Sequence, residues 1–363
     1  MNKKTGILSS SKNEAENKDI SSNRPQSLSS FVGQKQLKEN LSVFIQASKK
    51  KQKQMDHVLF YGPPGLGKTT LARIVANELD VDFKATSAPM LTKSGDLVAI
   101  LTNLKQNDVL FIDEIHRLSI TIEEVLYQAM EDFCVDIIIG EGASARSIKI
   151  NLQPFTLIGA TTRFGLISAP LRSRFGIPFN LNFYDMDELS DIIIHNSSRE
   201  NIKINKHAAM QIASRSRFTP RIAIRLLKRV SELAIVFSSD YTIDEAIVNK
   251  SFSSLNIDKY GLDELDRRYI KYIAENYNGG PVGIDTISAG LSEEPDSIED
   301  TIEPFLLAIG FIARTSRGRI LTHKALEHLG FDELINYQNQ LQKINQKEHN
   351  KINTPDDPEI QLF

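Results

Sequence analysis

Gly62-Pro63-Pro64-Gly65-Leu66-Gly67-Lys68-Thr69 decides the fold. The octet fits G-x-x-x-x-G-K-[ST], follows the apolar run Val58-Leu59-Phe60-Tyr61 and opens the helical pattern TLARIVANEL. Strand, glycine-rich loop and helix in that order make a phosphate cradle. The glycines let backbone N–H groups wrap the oxygens, and the helix N-terminus adds its positive dipole end. Gly62, Gly65 and Gly67 shape the loop, Lys68 reaches the β- and γ-phosphates, and the Thr69 hydroxyl ligates Mg²⁺, with Thr70 beside it.

Two further apolar runs, VLFI (109–112) and FTLIGA (155–160), predict buried parallel strands separated by helices. The fold expected over residues 24–183 is therefore an α/β P-loop domain with a parallel sheet. VLFI runs into Asp113-Glu114-Ile115-His116. A carboxylate at the end of a buried strand beside the cradle can hold the Mg²⁺ shell, the role expected of Asp113. Glu114 can then orient and polarise an attacking water. His116 has no second His or Cys at ligand spacing, which favours a structural or coupling role. The third run ends in Gly159-Ala160-Thr161-Thr162-Arg163. A hydroxyl there lies between the other motifs and can sense a γ-phosphate; Thr162 is preferred, Thr161 is the alternative, and both can merely end a strand.

Leu171-Arg172-Ser173-Arg174-Phe175 lies past that strand at the domain edge, a place suited to a guanidinium reaching into a neighbour's site. Over 184–257 helical spacing replaces strand signals: Leu189, Ile192 and Ile193 recur, then IAIRLLKRVSELAIVF (222–237). Thr219-Pro220-Arg221 opens that last helix, with proline fixing its start and Arg221 placed to cover the γ-phosphate. Arg225, Lys228 and Arg229 follow on one face and read as a solvated basic surface.

From 258 to 332 a helix around DELDRRYIKYIAENY, a Gly-Gly-Pro turn, two helices and the pair FIART and GRILT predict a winged helix. Arg314, Arg317, Arg319 and Lys324 fall in a stretch without an acid, the pattern of a sequence-independent phosphate contact. Between 133 and 154, VDIII, GEG and ARSIKI predict an inserted β-hairpin. Side chains alternate faces on a ribbon, so at least one of Ile137, Ile138 and Ile139 points outward. An exposed apolar hairpin marks a partner site, unless it packs on its own domain.

The 363 residues carry a net charge of −3, so any nucleic-acid contact must come from a local patch. No apolar stretch approaches the roughly 18 residues of a membrane span. The polar N-terminus lacks the apolar core of a signal peptide, and Cys134 as the single cysteine excludes an internal disulfide. A reducing cytoplasm is the expected location. Residues 1–23 are expected to be disordered, and 333–363 form a polar tail.

Together these motifs resemble the AAA+ ATPases. The strings RPQSLSSFVGQ (24–34), DHVLFYGPPGLGKTTLA (56–72), VLFIDEIHRLS (109–119), IIIGEGASARSIKI (137–150), PLRSRFGI (170–177), TPRIAIRLLKRV (219–230) and TIEPFLLAIGFIARTSRGR (301–319) are similar to those of the RuvB family. That resemblance extends from Arg24 to Gly330. It implies a homohexamer around double-stranded DNA that uses ATP and Mg²⁺ to drive branch migration of Holliday junctions in homologous recombination and DNA repair. RuvA would load it through the hairpin, and RuvC would later cut the junction. The resemblance assigns Arg174 as a finger acting in trans, Arg221 as a second sensor, and Tyr184 and Arg24 as neighbours of the base. It places Glu131, Asp132 and Phe133 in the extended nucleotide site and favours Arg314 and Arg319 as DNA contacts. Phe218, Ile224, Ser173 and Pro295 depart from the family pattern. The rival readings are a DNA-bound switch of the replication-initiator type and a clamp-loader-like subunit.

Overall fold

The computed structural model describes residues 24–139, 146–238 and 241–334. The expected disordered extension, the hairpin tip, the side chains of Ile138 and Ile139, and the tail beyond 334 lie outside the described residues. The chain divides into two compact units between Ser254 and Leu255.

The first unit opens with α1 (Lys35–Lys51), β1 (Val58–Tyr61), α2 (Lys68–Leu79), β2 (Phe83–Ser87), α3 (Ser94–Thr102) and β3 (Val109–Asp113). It continues through α4 (Ile120–Asp132), β4 (Cys134–Ile139), β5 (Arg146–Asn151), β6 (Thr156–Thr161), α5 (Ala169–Ser173) and β7 (Ile177–Asn180). Five parallel strands pair in the order β2-β3-β6-β1-β7. The three apolar runs supply the centre, where side chains meet helices on both faces and are buried along nearly their whole length. In that register Tyr61 pairs with Thr161, and Ile112 with Gly159. The cradle, the carboxylates and the threonines therefore leave the sheet together at the carboxyl ends of its central strands, where α/β sheets bind ligands. Strands β2 and β7 complete the sheet beyond those three runs.

Strands β4 and β5 form an antiparallel ribbon with Ile137 opposite Ile148. Val135 and Leu152 belong to the domain core, whereas Ile148 is 47% exposed and Ile137 half-buried. The base of the ribbon thus packs on its own domain while one cross-strand apolar pair faces outward.

His57, just before β1, joins three elements. Its Nδ1 accepts from the Leu157 backbone N–H at 2.9 Å, which leaves Nε2 as the donor to the Met130 carbonyl at 3.1 Å. Burial lowers its pKa, against smaller raising effects of the Met130 bond and Asp56. A depressed folded pKa gives stability that is full above the unfolded value of about 6.5 and is lost as pH falls below it, by up to about 1.4 kcal/mol per pH unit. Denaturant midpoints should fall between pH 7.5 and 5, with a smaller fall in His57→Gln. Equal falls in both proteins would remove His57 as the cause.

The same unit carries α6 (Met186–Arg199), β8 (Lys203–Ile204), α7 (Lys206–Ser214), α8 (Pro220–Phe237), β9 (Thr242–Ile243) and α9 (Glu245–Ser254). Asp185 and Glu188 form a capping box that fixes the start of α6. Pro220 stands in the first turn of α8.

In the second unit α10 (Glu264–Tyr277) is capped by Asp263 and Asp266. It is followed by α11 (Ile284–Leu291) and α12 (Glu303–Ala308), then β10 (Ile312–Thr315), β11 (Gly318–Leu321) and α13 (His323–Leu329). A π-helical stretch, Ile298–Ile302, leads into α12. The antiparallel pair β10–β11 closes three helices, the winged-helix arrangement.

Candidate functional site

The loop between β1 and α2 forms because Gly62, Gly65 and Gly67 all have positive φ, at 137°, 83° and 99°. A Cβ on Gly62 would lie 2.5 Å from the Leu181 carbonyl, so only glycine permits that approach. The first amides of α2 have no carbonyl one turn back and point into a cleft of about 450 Å³. Arg24, Gly65, Gly67, Lys68, Thr69, Thr70, Asp113, Glu114, Thr162, Tyr184 and Arg221 line it. Gly62 shapes the loop from behind instead of lining the space.

Lys68 is 8% exposed, and its ammonium donates to the carbonyls of Gly62 at 2.7 Å and Pro63 at 2.9 Å. Burial pushes its pKa down to about 8, against the attraction of Glu114 and Asp113. A buried ammonium held by carbonyls, on the residue that opens a helix, fits a phosphate chain. Thr69 Oγ1 lies 3.5 Å from Asp113 Oδ2, a pair of hard oxygens. Among the described residues no cluster of three or more His, Cys, Asp or Glu side chains can hold a metal alone. This donor set fits Mg²⁺, which takes one or two protein oxygens and completes its shell with phosphates and water.

Glu114 leaves β3 with φ at 50°. Its Oε2 accepts from Thr162 Oγ1 at 3.3 Å and lies 3.3 Å from His116 Nδ1. Thr161 is fully buried and bonds His116 Nδ1 at 2.9 Å. Of the two threonines, then, Thr162 borders the cleft and Thr161 lies beneath it.

The helical lid closes the other wall. The Arg221 N–H donates to the Gly65 carbonyl at 3.3 Å, and Tyr184 Oη donates to the Leu66 carbonyl at 3.1 Å. Tyr184 is 2% exposed; burial, then Glu188, raises its pKa. Burial, then Arg73 and Arg221, lowers that of Arg24. Phe31, Val32, Ile192, His195, Asn196, Ile224 and Lys228 also line the cleft. Sequence reasoning did not assign these seven to the site. Lys228 corrects the reading of a solvated basic face: it lies two turns beyond Arg221, on the side of α8 that borders the cleft.

Arg174 does not line its own cleft. It donates to the Pro170 carbonyl at 2.8 Å and to Glu131 at 3.1 Å, with its guanidinium 4.5 Å from the Tyr127 ring centre. Arg172, in α5, is held by the segment before it, bonded to the Ile167 carbonyl and lying over Phe164. Glu131 stands with Arg174, and Phe133 packs against His57 and Phe155. The stretch Glu131, Asp132 and Phe133 therefore does not line the cleft of its own chain.

In the winged helix the expectation of an acid-free basic surface needs correction. Arg314 and Arg319 are cross-strand partners, a repulsive pairing, and Glu303 of α12 sits between them. Glu303 is fully buried; its Oε2 accepts from Arg314 Nε at 2.8 Å, and its Oε1 accepts from Arg319 Nε at 2.8 Å and from Tyr269 Oη at 2.9 Å. Arg319, 12% exposed, also bonds Glu299 at 2.6 Å. Lys324 donates to the Ile309 carbonyl. Arg317 stands exposed at the hairpin turn, and Arg314 keeps 46% of its side chain in solvent. Arg319 is therefore held by Glu303 and Glu299, with little of its side chain in solvent.

Three family models match the chain: the Holliday junction DNA helicase RuvB P-loop domain over residues 23–181, the RuvB AAA lid domain over 184–258, and the RuvB C-terminal winged helix domain over 259–330. A relative from Rickettsia africae, named Holliday junction branch migration complex subunit RuvB, is 57% identical over 325 residues, covering 90% of this chain and 94% of its own. A solved structure named Thermotoga maritima RuvB Holliday junction branch migration motor is 51% identical, with a TM-score of 0.79, and covers 85% of this chain and 98% of its own. A mutant of the Thermotoga protein gives 52% and 0.80 over the same shares. Among the described residues no helix is long and apolar enough to cross a membrane.

Proposed function

The chain belongs to the RuvB family of AAA+ ATPases, and on that premise we propose that it hydrolyses ATP to drive branch migration of Holliday junctions, as a homohexamer working with RuvA and RuvC. The observation that carries this reading is the meeting of Lys68, Thr69, Asp113, Glu114, Thr162 and Arg221 at one cleft, while Arg174 stands outside it.

Bound ATP supplies a phosphoanhydride whose cleavage releases free energy, and Mg²⁺ neutralises its developing charge. Lys68 leaves the Gly62 and Pro63 carbonyls to meet the phosphates, and the loop amides fix their position. Thr69 and Asp113 would hold the metal. Glu114 orients the attacking water and takes up its proton, with Thr162 between it and the phosphate. Arg221, in the first turn of lid helix α8, couples lid to cradle, because its backbone N–H donates to the Gly65 carbonyl. Arg24 and Tyr184 border the space for the base.

Arg314 and Arg317 are the proposed phosphate contacts to duplex DNA, without base readout. The outward pair Ile137 and Ile148 supports a hairpin contact with RuvA, to which Ile138 and Ile139 would add. Three domains, 24–183, 184–257 and 258–332, divide the work among hydrolysis, lid movement and DNA contact. A cytoplasmic location accords with the DNA substrate.

ATP-dependent dissociation of a synthetic four-way junction, with and without RuvA, tests the reading. The wild-type chain should dissolve the junction, and Glu114→Gln should bind it without dissolving it. ATP hydrolysis with the junction left intact even in the presence of RuvA would keep the ATPase and remove branch migration.

A further inference from the structure

We infer that His116 is a positioning residue for the hydrolytic carboxylate: its Nδ1–H, anchored on Thr161, fixes where Glu114 points. The inference rests on the ATPase reading above and adds a residue to it.

The His116 side chain is only 4% exposed, although it follows two residues after a carboxylate that is 36% exposed. Its Nδ1 lies 2.9 Å from Thr161 Oγ1 and 3.3 Å from Glu114 Oε2. An ionised carboxylate can only accept, so the Glu114 contact is attractive only when Nδ1 carries the proton. Thr161 permits that state. Its hydroxyl oxygen has two lone pairs; one accepts from the Arg163 backbone N–H at 3.0 Å, and the other is available to Nδ1–H. The Arg163 amide and the burial of Thr161 thus hold the hydroxyl that anchors Nδ1, and Glu114 Oε2 meets the same Nδ1–H.

Glu114 needs such support. It sits at a left-handed φ of 50° at the end of β3, where the backbone no longer belongs to the sheet ladder. Thr162 also reaches Glu114 Oε2, at 3.3 Å. The same carboxylate oxygen therefore lies between a hydroxyl that borders the cleft and an imidazole anchored on Thr161 of β6. Consecutive residues of one strand end, Thr161 and Thr162, bear on Glu114 from below and from the cleft. A shift of that strand end on phosphate binding or release would move both partners together and re-aim the carboxylate. A misplacement of about 1 Å at a reacting group can lower a rate by about 10²-fold.

His116→Asn keeps a polar nitrogen near the place of Nδ1, whereas His116→Gln moves it towards the place of Nε2. Steady-state ATP hydrolysis, equilibrium binding of a fluorescent ATP analogue and the thermal unfolding midpoint would be measured on the full chain for both variants, beside Glu114→Gln. The expected result is a kcat about 10- to 100-fold lower in His116→Gln, about threefold lower or less in His116→Asn, and nucleotide affinity and midpoint within error of wild type in both. Unchanged turnover in His116→Gln, an equal loss in both variants, or a loss that follows nucleotide affinity or midpoint would each overturn the assignment. Hydrolysis by Glu114→Gln at the wild-type rate would instead sink the underlying reading of Glu114 as the hydrolytic residue.

Discussion

Arg174→Ala in every subunit lowers ATP turnover by about 10³- to 10⁵-fold, the range for loss of a guanidinium at a phosphoryl-transfer transition state. Mixing it with Lys68→Ala subunits restores part of that turnover. The reason is geometric. Arg174 is absent from the lining of its own cleft and lies beside Glu131 and the Tyr127 ring, with 21% of its side chain in solvent. On the proposed reading, a residue so placed completes the site of an adjacent chain. In the mixed ring, an Arg174→Ala subunit retains a sound cradle and receives the finger of a Lys68→Ala neighbour. Phosphate release across mixing ratios should peak between the two pure variants. A flat, inactive profile at all ratios counts against a shared site.

Removing Glu303 is the second large effect. Glu303→Ala leaves Arg314 and Arg319 facing each other across two strands, and Tyr269 without its acceptor. Loss of one partner from a buried ion network costs about 3–5 kcal/mol. The Arg319 and Val282 amides, which bond each other's carbonyls at 2.8 and 3.0 Å, report it directly. Their hydrogen exchange should quicken by a factor that matches that energy, while amides of the P-loop sheet hold steady. Burial alone would raise the Glu303 pKa, but Arg319 and Arg314 outweigh it and hold the carboxyl below its ordinary value. The contribution is therefore complete above about pH 4.3 and disappears as pH falls through the lower folded value. Unchanged exchange at the two amides would show that the network contributes little.

The parts of this molecule that sequence makes legible share a physical cause. Val58–Tyr61, Val109–Asp113 and Thr156–Thr161 are buried on both faces, so they read as continuous apolar runs, and the motifs at their ends follow by chain order. Phe83–Ser87 and Ile177–Asn180 flank the same sheet with exposed positions among their residues, and nothing in FKATS or IPFN separates them from loop. The two-residue pairing of Lys203–Ile204 with Thr242–Ile243 is shorter than any pattern can signal. The near side of the nucleotide cleft follows from the motifs at the ends of the three central strands. Its far wall comes from helices of the lid, and no spacing rule connects Lys228 or Asn196 to Lys68. Glu303 shows the same limit: it lies in sequence well before the arginines it neutralises, so local charge counting makes the wing look more cationic than it is.

Inward-facing Arg319 has a mechanical consequence. Strong attachment to DNA would act as friction on a protein that must travel along it. With Arg319 locked against Glu299 and Glu303, the proposed contacts per chain reduce to Arg314 and Arg317. Two phosphate contacts displace few counterions, giving a slope of log affinity against log salt of about −1.8 per chain. Such a hold is shallow enough to break at each advance, and traction then depends on how many chains grip at once, not on how hard any one of them does.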